Sequence, residues 1–193
     1  SSLLIVFPLS YFATHWRTIS SKDTFSLGVI FDNFYQLHYD AFSNLLASIT
    51  YVIDYGVSYG SQLLGGLLFF IPRSLWDGKP LNSGKMIGQY LMQKHNMWFD
   101  NLSLPFIGES ILNFGPLGII LFAFFLSIIV CFFEMIYFSK DFLVKSVSVY
   151  FSFHLIFLLR GDFTNAFAYF VGTVIGFYVI PKLINKLFNI RFY

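Results

Sequence analysis

Charges are missing from two long stretches of this chain. From Ser110 to Phe133 there are 24 residues without a charge, and from Phe163 to Pro181 there are 19, against the roughly 20 that carry a helix across a hydrocarbon core. A shorter uncharged run, Ser146 to Leu159, lies between them, bounded by Lys145 and Arg160. The stems of these two side chains can stay in lipid while their charges reach the headgroups, so this run also predicts a span. The pattern thus predicts transmembrane helices over residues 110–138, 142–159 and 163–181, followed by a tail over 182–193. At the other end, the apolar run from Ser1 to Thr14 is too short to cross. It has no basic region before it and no small-residue cleavage site after it, so residues 1–14 read as the end of a truncated transmembrane helix and not as a signal peptide.

Residues 15–109 are patterned differently. Phe42, Leu45, Leu46, Ile49 and Ile53 recur at three- and four-residue steps, with Ser43, Asn44 and Asp54 on other faces and Gly56 as a stop. This predicts an amphipathic helix at the membrane surface. Gly56 to Pro72 carries no charge, and we read it as a re-entrant or interfacial segment. A full crossing would move Arg17 and Lys22 to the other side, and Gly65 and Gly66 weaken a continuous helix.

Composition supports lipid as the main solvent: of 193 residues, 56% are hydrophobic, 22% aromatic and 11% charged, with mean hydropathy +0.68. Lys140 and Lys145 lie around Asp141 at the connection between the predicted helices 110–138 and 142–159, and Lys182, Lys186 and Arg191 follow the last. Both clusters are expected on the cytoplasmic side. Residues 15–109 and the Arg160-Gly161-Asp162 turn then lie outside. Residues 15–109 alone hold six of the twelve basic and seven of the ten acidic residues, and they are too aromatic for disorder. The predicted fold is an all-α integral membrane protein, a transmembrane helix bundle with a large external loop containing amphipathic and re-entrant segments. The net charge of +2 is too small and too spread to suggest nucleic acid. The single Cys131 excludes a disulfide framework and a thiolate metal site, and His15, His38 and His95 show no ligand spacing. No metal and no cofactor are expected.

Two segments of the outer region are unlike ordinary connectors. One is Phe70-Ile71-Pro72-Arg73-Ser74-Leu75-Trp76-Asp77-Gly78-Lys79-Pro80, followed by Gly84. The other, Leu104-Pro105-Phe106-Ile107-Gly108-Glu109-Ser110-Ile111-Leu112-Asn113-Phe114-Gly115-Pro116-Leu117-Gly118, runs into a span. In content, order and spacing the chain from about Asp32 onward resembles the Wzy-type O-antigen, or oligosaccharide repeat-unit, polymerases. Relatives often have Pro or Asn after the Trp, where this chain has Asp77 and Gly78. The family is also described by arginine-to-glycine spacings, which Arg73 and Gly84, and Arg160 and Gly176, satisfy here.

The resemblance implies a GT-C-like, metal-independent glycosyltransferase of the bacterial inner membrane. Its large loop would be periplasmic, its substrate an undecaprenyl-pyrophosphate-linked oligosaccharide, and its partners membrane lipid and a chain-length regulator protein. Such a transfer must stabilise a departing pyrophosphate and deprotonate a sugar hydroxyl. Arg73, Lys79 and Arg160 are the candidate pyrophosphate ligands, since each adjoins apolar sequence that can hold it at headgroup depth. Glu109 is the first candidate for the catalytic base and Asp162 the second, as carboxylates whose pKa partial desolvation can raise.

Plainer readings stand beside these. Arg73 and Lys79 would anchor an interfacial segment, Arg160 and Asp162 would form a turn ion pair, and Glu109 would serve a helix N-terminus. Three other functions compete: an O-antigen ligase sharing the chemistry, a lipid-linked oligosaccharide flippase, and a structural membrane protein. A flippase should carry charges inside its spans, where Glu134 is the only acidic residue near a span interior.

Overall fold

The structure is a computed structural model that describes residues 41–188. The expectations for residues 1–14, for 15–40 of the outer region and for the tail beyond 188 lie outside the described residues. The regular elements of the described residues are all helices, without strands: α1 (Ala41–Tyr55), α2 (Ser61–Leu67), α3 (Ser83–His95), α4 (Phe106–Phe114), α5 (Pro116–Tyr137), α6 (Phe142–Arg160), α7 (Phe163–Val174), a π-helical turn (Ile175–Val179) and α8 (Ile180–Phe188).

Among the described residues, three helices are long and apolar enough to cross a membrane: Pro116–Tyr137, Phe142–Arg160, and Phe163–Phe188 through the π turn. Their side chains are bare to an extent that water would not tolerate, with Leu117 70%, Phe153 73% and Leu187 77% exposed. What they bury joins them to one another. Phe133 stacks on Phe151 at 3.9 Å, and Phe170 sits edge-on to both. Ser148 Oγ donates to Phe133 O at 2.6 Å, and Asp141 caps α6 by accepting from Leu143 N and Val144 N. His154 is a packed histidine, held by Ala166 O on Nε2 and Tyr150 Oη on Nδ1. The π turn has a local cause: Pro181 has no N–H for the carbonyl four residues back, and a wider turn absorbs the mismatch.

Two boundaries differ from the sequence pattern. The last helix runs on through Pro181 to Phe188 instead of ending at 181. The first span begins at Pro116, not at Ser110, because Gly115 (φ 65°, ψ −153°) breaks the helix and Pro116 starts the next one at N1. Residues 106–114 form α4 instead, packed tightly enough on the start of α5 that a Cβ at Gly118 would lie 2.0 Å from Ser110 O.

Outside the spans, Ala47, Ile87, Leu102, Leu104 and Leu112 form a small buried core. The amphipathic helix α1 ends at Gly56 (φ 83°). It turns its small polar stripe inward, with Asn44, Ala47 and Ser48 buried and Asn44 Nδ2 donating to Ser103 O at 2.9 Å. Its large apolar side chains, Phe42, Leu46 and Ile53, face out, as on a helix lying in a lipid interface. The seven-residue α2 spans roughly 10 Å at 1.5 Å per residue, a third of a bilayer core. Its paired glycines are contact positions: Gly65 faces Pro80, and Gly66 faces Phe163 and Thr164.

Candidate functional site

The chain leaving α2 makes a run of tight turns to Pro80, and two cations hold it closed. Lys79 Nζ donates to Leu68 O, Phe69 O and Ile71 O at 3.0, 3.0 and 2.8 Å, in the turn that follows α2, where Leu68 O also accepts from Ile71 N. Arg73 reaches back with both arms of its fork, Nη1 to Lys79 O at 2.6 Å and Nη2 to Pro80 O at 3.1 Å. Two of five guanidinium N–H groups are used in this way, so Arg73 keeps donors for a ligand, whereas the three donors of Lys79 are all engaged.

This loop forms one wall of a cleft of about 250 Å³, lined by Arg73, Lys79, Lys85, Asn82 and Thr164 with Gly65, Phe69, Pro80 and Leu81. Three cations and no carboxylate line it. Lys85, on the first turn of α3, is exposed and only loosely paired with Asp100 at 3.8 Å. Arg160 is exposed at the end of α6 and is not part of the lining. Of the three cations suggested by the sequence, the structure brings Arg73 and Lys79 together, and Lys85 joins them in place of Arg160.

Behind the cleft lie the two candidate carboxylates, brought together from opposite ends of the chain's second half. Glu109 is 1% exposed and Asp162 2%. Each serves a helix other than its own. Glu109 accepts from Phe163 N, at the start of α7, at 3.0 Å and from Ser83 Oγ at 2.8 Å. Asp162 accepts from Gly84 N, in the first turn of α3, at 2.8 Å and from Asn82 Nδ2 at 2.6 Å. The residues at the two N-cap positions, Asn82 and Asp162, make no cap bond to their own helices. The exchange locks α3, α4 and α7 to one another through orphan N–H groups of α3 and α7.

Burial is the first cause that pushes the Glu109 carboxyl above its ordinary range, and the negative charge of Asp162 is the second, against the opposing bonds from Ser83 and Phe163. Burial raises Asp162 as well, while Gly84 N and the Asn82 amide oppose the shift. The pair therefore keeps a proton to higher pH than exposed carboxylates do. Neither carboxylate lines the cleft. Asn82, which does, donates to Asp162 and so links the cleft lining to the buried pair.

Of the glycines in the two arginine spacings, Gly84 has a steric reason. A Cβ there would lie 1.9 Å from Leu102 O and 3.2 Å from Asp162 Oδ1. Gly176 has nothing within 4 Å of where a Cβ would stand. Asn82, Ser83, Lys85 and Thr164 are residues that sequence reasoning passed over. The signal for the first two was present, since Asn82-Ser83 opens a helix as N-cap residues do. For Lys85 and Thr164 the sequence carries no such mark. Among the described residues, no three His, Cys, Asp or Glu side chains are grouped as metal ligands would be.

Residues 102–191 match the family described as O-antigen polysaccharide polymerase Wzy. The likeness carried by the loop segments thus holds for the C-terminal portion of the chain, including α4 and its Glu109, the three candidate spans and Asp162. The Arg73 to Pro80 segment precedes the matched residues. No curated protein and no solved structure matches the chain.

Proposed function

We propose that this membrane protein takes part in joining polyprenyl-pyrophosphate-linked oligosaccharide repeat units into O-antigen or a related surface polysaccharide, at the periplasmic face of a bacterial inner membrane. The observation that carries the reading is the cationic cleft. Arg73, Lys79 and Lys85 face one space with no carboxylate in the lining, and its wall meets the first turn of α7, where a span begins. A lipid-linked pyrophosphate needs such a place, at headgroup depth with fixed positive charge and N–H donors. Lys140, Lys145, Lys182 and Lys186 lie toward the opposite ends of the spans, the distribution expected of a cytoplasmic side.

In the transfer, the bond between the growing glycan and its pyrophosphate carrier breaks, a hydroxyl oxygen of the incoming repeat unit bonds to the freed sugar carbon, and the hydroxyl proton leaves with the departing pyrophosphate. The unused N–H groups of Arg73 and the Lys85 ammonium take up charge developing on the departing pyrophosphate, so the chemistry does not call on a divalent ion. Glu109 and Asp162 act in this reading as positioning residues. They hold the starts of α3 and α7, and through Asn82 they fix the cleft wall.

The test is genetic and chemical. Deleting the gene in its host should leave a single repeat unit where wild type shows a ladder of surface glycan, and the full-length gene should restore the ladder. Loss of all surface glycan would point to a ligase or flippase. Lys85 tests the cleft because its substitution leaves the bonds of Arg73 and Lys79 in place. Lys85→Ala should slow polymerisation about tenfold, the loss of one charge-assisted contact, and Lys85→Glu should slow it more. Polymerisation by purified protein should persist in excess EDTA, and recovery only with Mg²⁺ would contradict the arginine-based reading.

A further inference from the structure

The far end of α3 holds a second cleft, of about 390 Å³, lined by Asp54, Tyr55, Tyr90, Gln93 and Lys94. Its size falls in the roughly 300 to 1,000 Å³ range of small-molecule sites, and its chemistry is unlike that of the cationic cleft. Lys94 Nζ donates to Asp54 Oδ2 at 2.5 Å and to Tyr90 Oη at 2.9 Å, and Tyr90 Oη donates to the same Asp54 oxygen at 2.6 Å. The positive charge is cancelled where it stands, so the site does not favour an anion. Tyr51, Tyr55 and Tyr90 cluster with centroids 5.0 to 6.0 Å apart. Tyr55 stays 66% exposed, offering an open ring face.

An exposed aromatic face, a neutralised ion pair and an amide carrying both donors and acceptors suit an uncharged, polyhydroxylated ring. The apolar C–H face of a sugar stacks on tyrosine while its hydroxyls bond to Asp54, Gln93 and Lys94. Placement adds to the chemistry. Asn82, in the cationic cleft, and Gln93, in this one, are eleven residues apart. Asn82 stands just before the first turn of α3 and Gln93 in its last turn, so the two clefts lie at opposite ends of this helix, about 16 Å apart along it. We propose that the Asp54–Tyr55–Tyr90–Gln93–Lys94 cleft is a carbohydrate subsite that holds an outer sugar of the oligosaccharide whose pyrophosphate lies at the start of α3. The helix then measures out a bound oligosaccharide, not a single sugar. The pyrophosphate half of this assignment rests on the function proposed above, but the sugar subsite itself can be tested without it.

The probe is the phosphate-free oligosaccharide released by mild acid from the host's own lipid-linked repeat unit. Its binding to full-length protein in nanodiscs is measured by saturation-transfer NMR and calorimetry. Tyr55→Ala should weaken binding about three- to tenfold, the range for losing an aromatic contact. Tyr55→Phe, which keeps the ring, should bind like wild type, and Gln93→Ala should also weaken binding. Inorganic pyrophosphate should bind equally to wild type and Tyr55→Ala. Unchanged glycan affinity in both Tyr55→Ala and Gln93→Ala would overturn the subsite, as would no binding by a wild-type protein that supports a full ladder. Glycan binding as expected without restoration of the ladder would leave the subsite standing and remove the polymerase reading.

Discussion

The carboxylates behind the cleft and the cations around it are both charged groups in a lipid-embedded protein, yet they are spent in opposite ways. Glu109 and Asp162 are almost wholly buried, and every one of their four oxygens accepts a hydrogen bond from the protein. Arg73 and Lys85 are exposed and keep donors that the protein does not use. Completeness of internal bonding separates a residue that holds the site in shape from one that can meet a ligand.

Removing a member of the buried pair should have the largest effect. Glu109→Ala leaves Ser83 Oγ and Phe163 N without their acceptors in a closed space, and it should cost about 3–5 kcal/mol of stability. Thermal unfolding in detergent would show this, and an unchanged midpoint would erase the distinction drawn here. Gly84→Ala should cost about 3 kcal/mol, since its Cβ would meet the Leu102 carbonyl.

On the cation side, Arg73→Ala should lower polymerisation about 30- to 1000-fold, or about 2–4 kcal/mol in the transition state, while the protein still reaches the membrane. Arg73→Lys should be nearly as impaired, because a single ammonium cannot reproduce a fork already shared between two loop carbonyls and a ligand. Ladder length per amount of membrane protein measures both. Near-normal ladders from Arg73→Lys would reduce Arg73 to an interfacial anchor.

Glu109→Gln sharpens the contrast in another way. If Glu109 is a wall and not a proton acceptor, the neutral isostere should retain activity within about tenfold and stability within about 1.5 kcal/mol. It should also alter pH dependence. Burial raises the Glu109 pKa above its ordinary value near 4.5, so the folded protein binds this proton more tightly than the unfolded chain does. The contribution of Glu109 to stability is fully present below the ordinary value and is lost as pH rises through the raised one. Glu109→Gln should flatten that decline, leaving the part due to Asp162. Abolished activity in a stable Glu109→Gln protein would return Glu109 to the role of base. The smallest effect belongs to Gly176→Ala, which meets no neighbour within 4 Å and should change stability by no more than about 0.5 kcal/mol.

Features that depend on neighbours along the chain are legible in the amino-acid sequence. Runs without charge marked the three helices able to cross a membrane, and a three- and four-residue rhythm marked α1 with its stop at Gly56. The motif segments held the arginine and lysine that meet in one loop. Glu109 and Asp162 were visible only as separate candidates. Nothing within either segment states that residues 53 apart would share a buried space and cap one another's helix partners. The same holds for Lys85, which resembled any first-turn lysine, and for the closeness of Arg160 and Asp162 in sequence, which put one in solvent and the other in the interior. Tertiary structure decided these because desolvation and hydrogen-bond completion depend on which groups packing brings to a point, and the covalent chain sets that only for near neighbours.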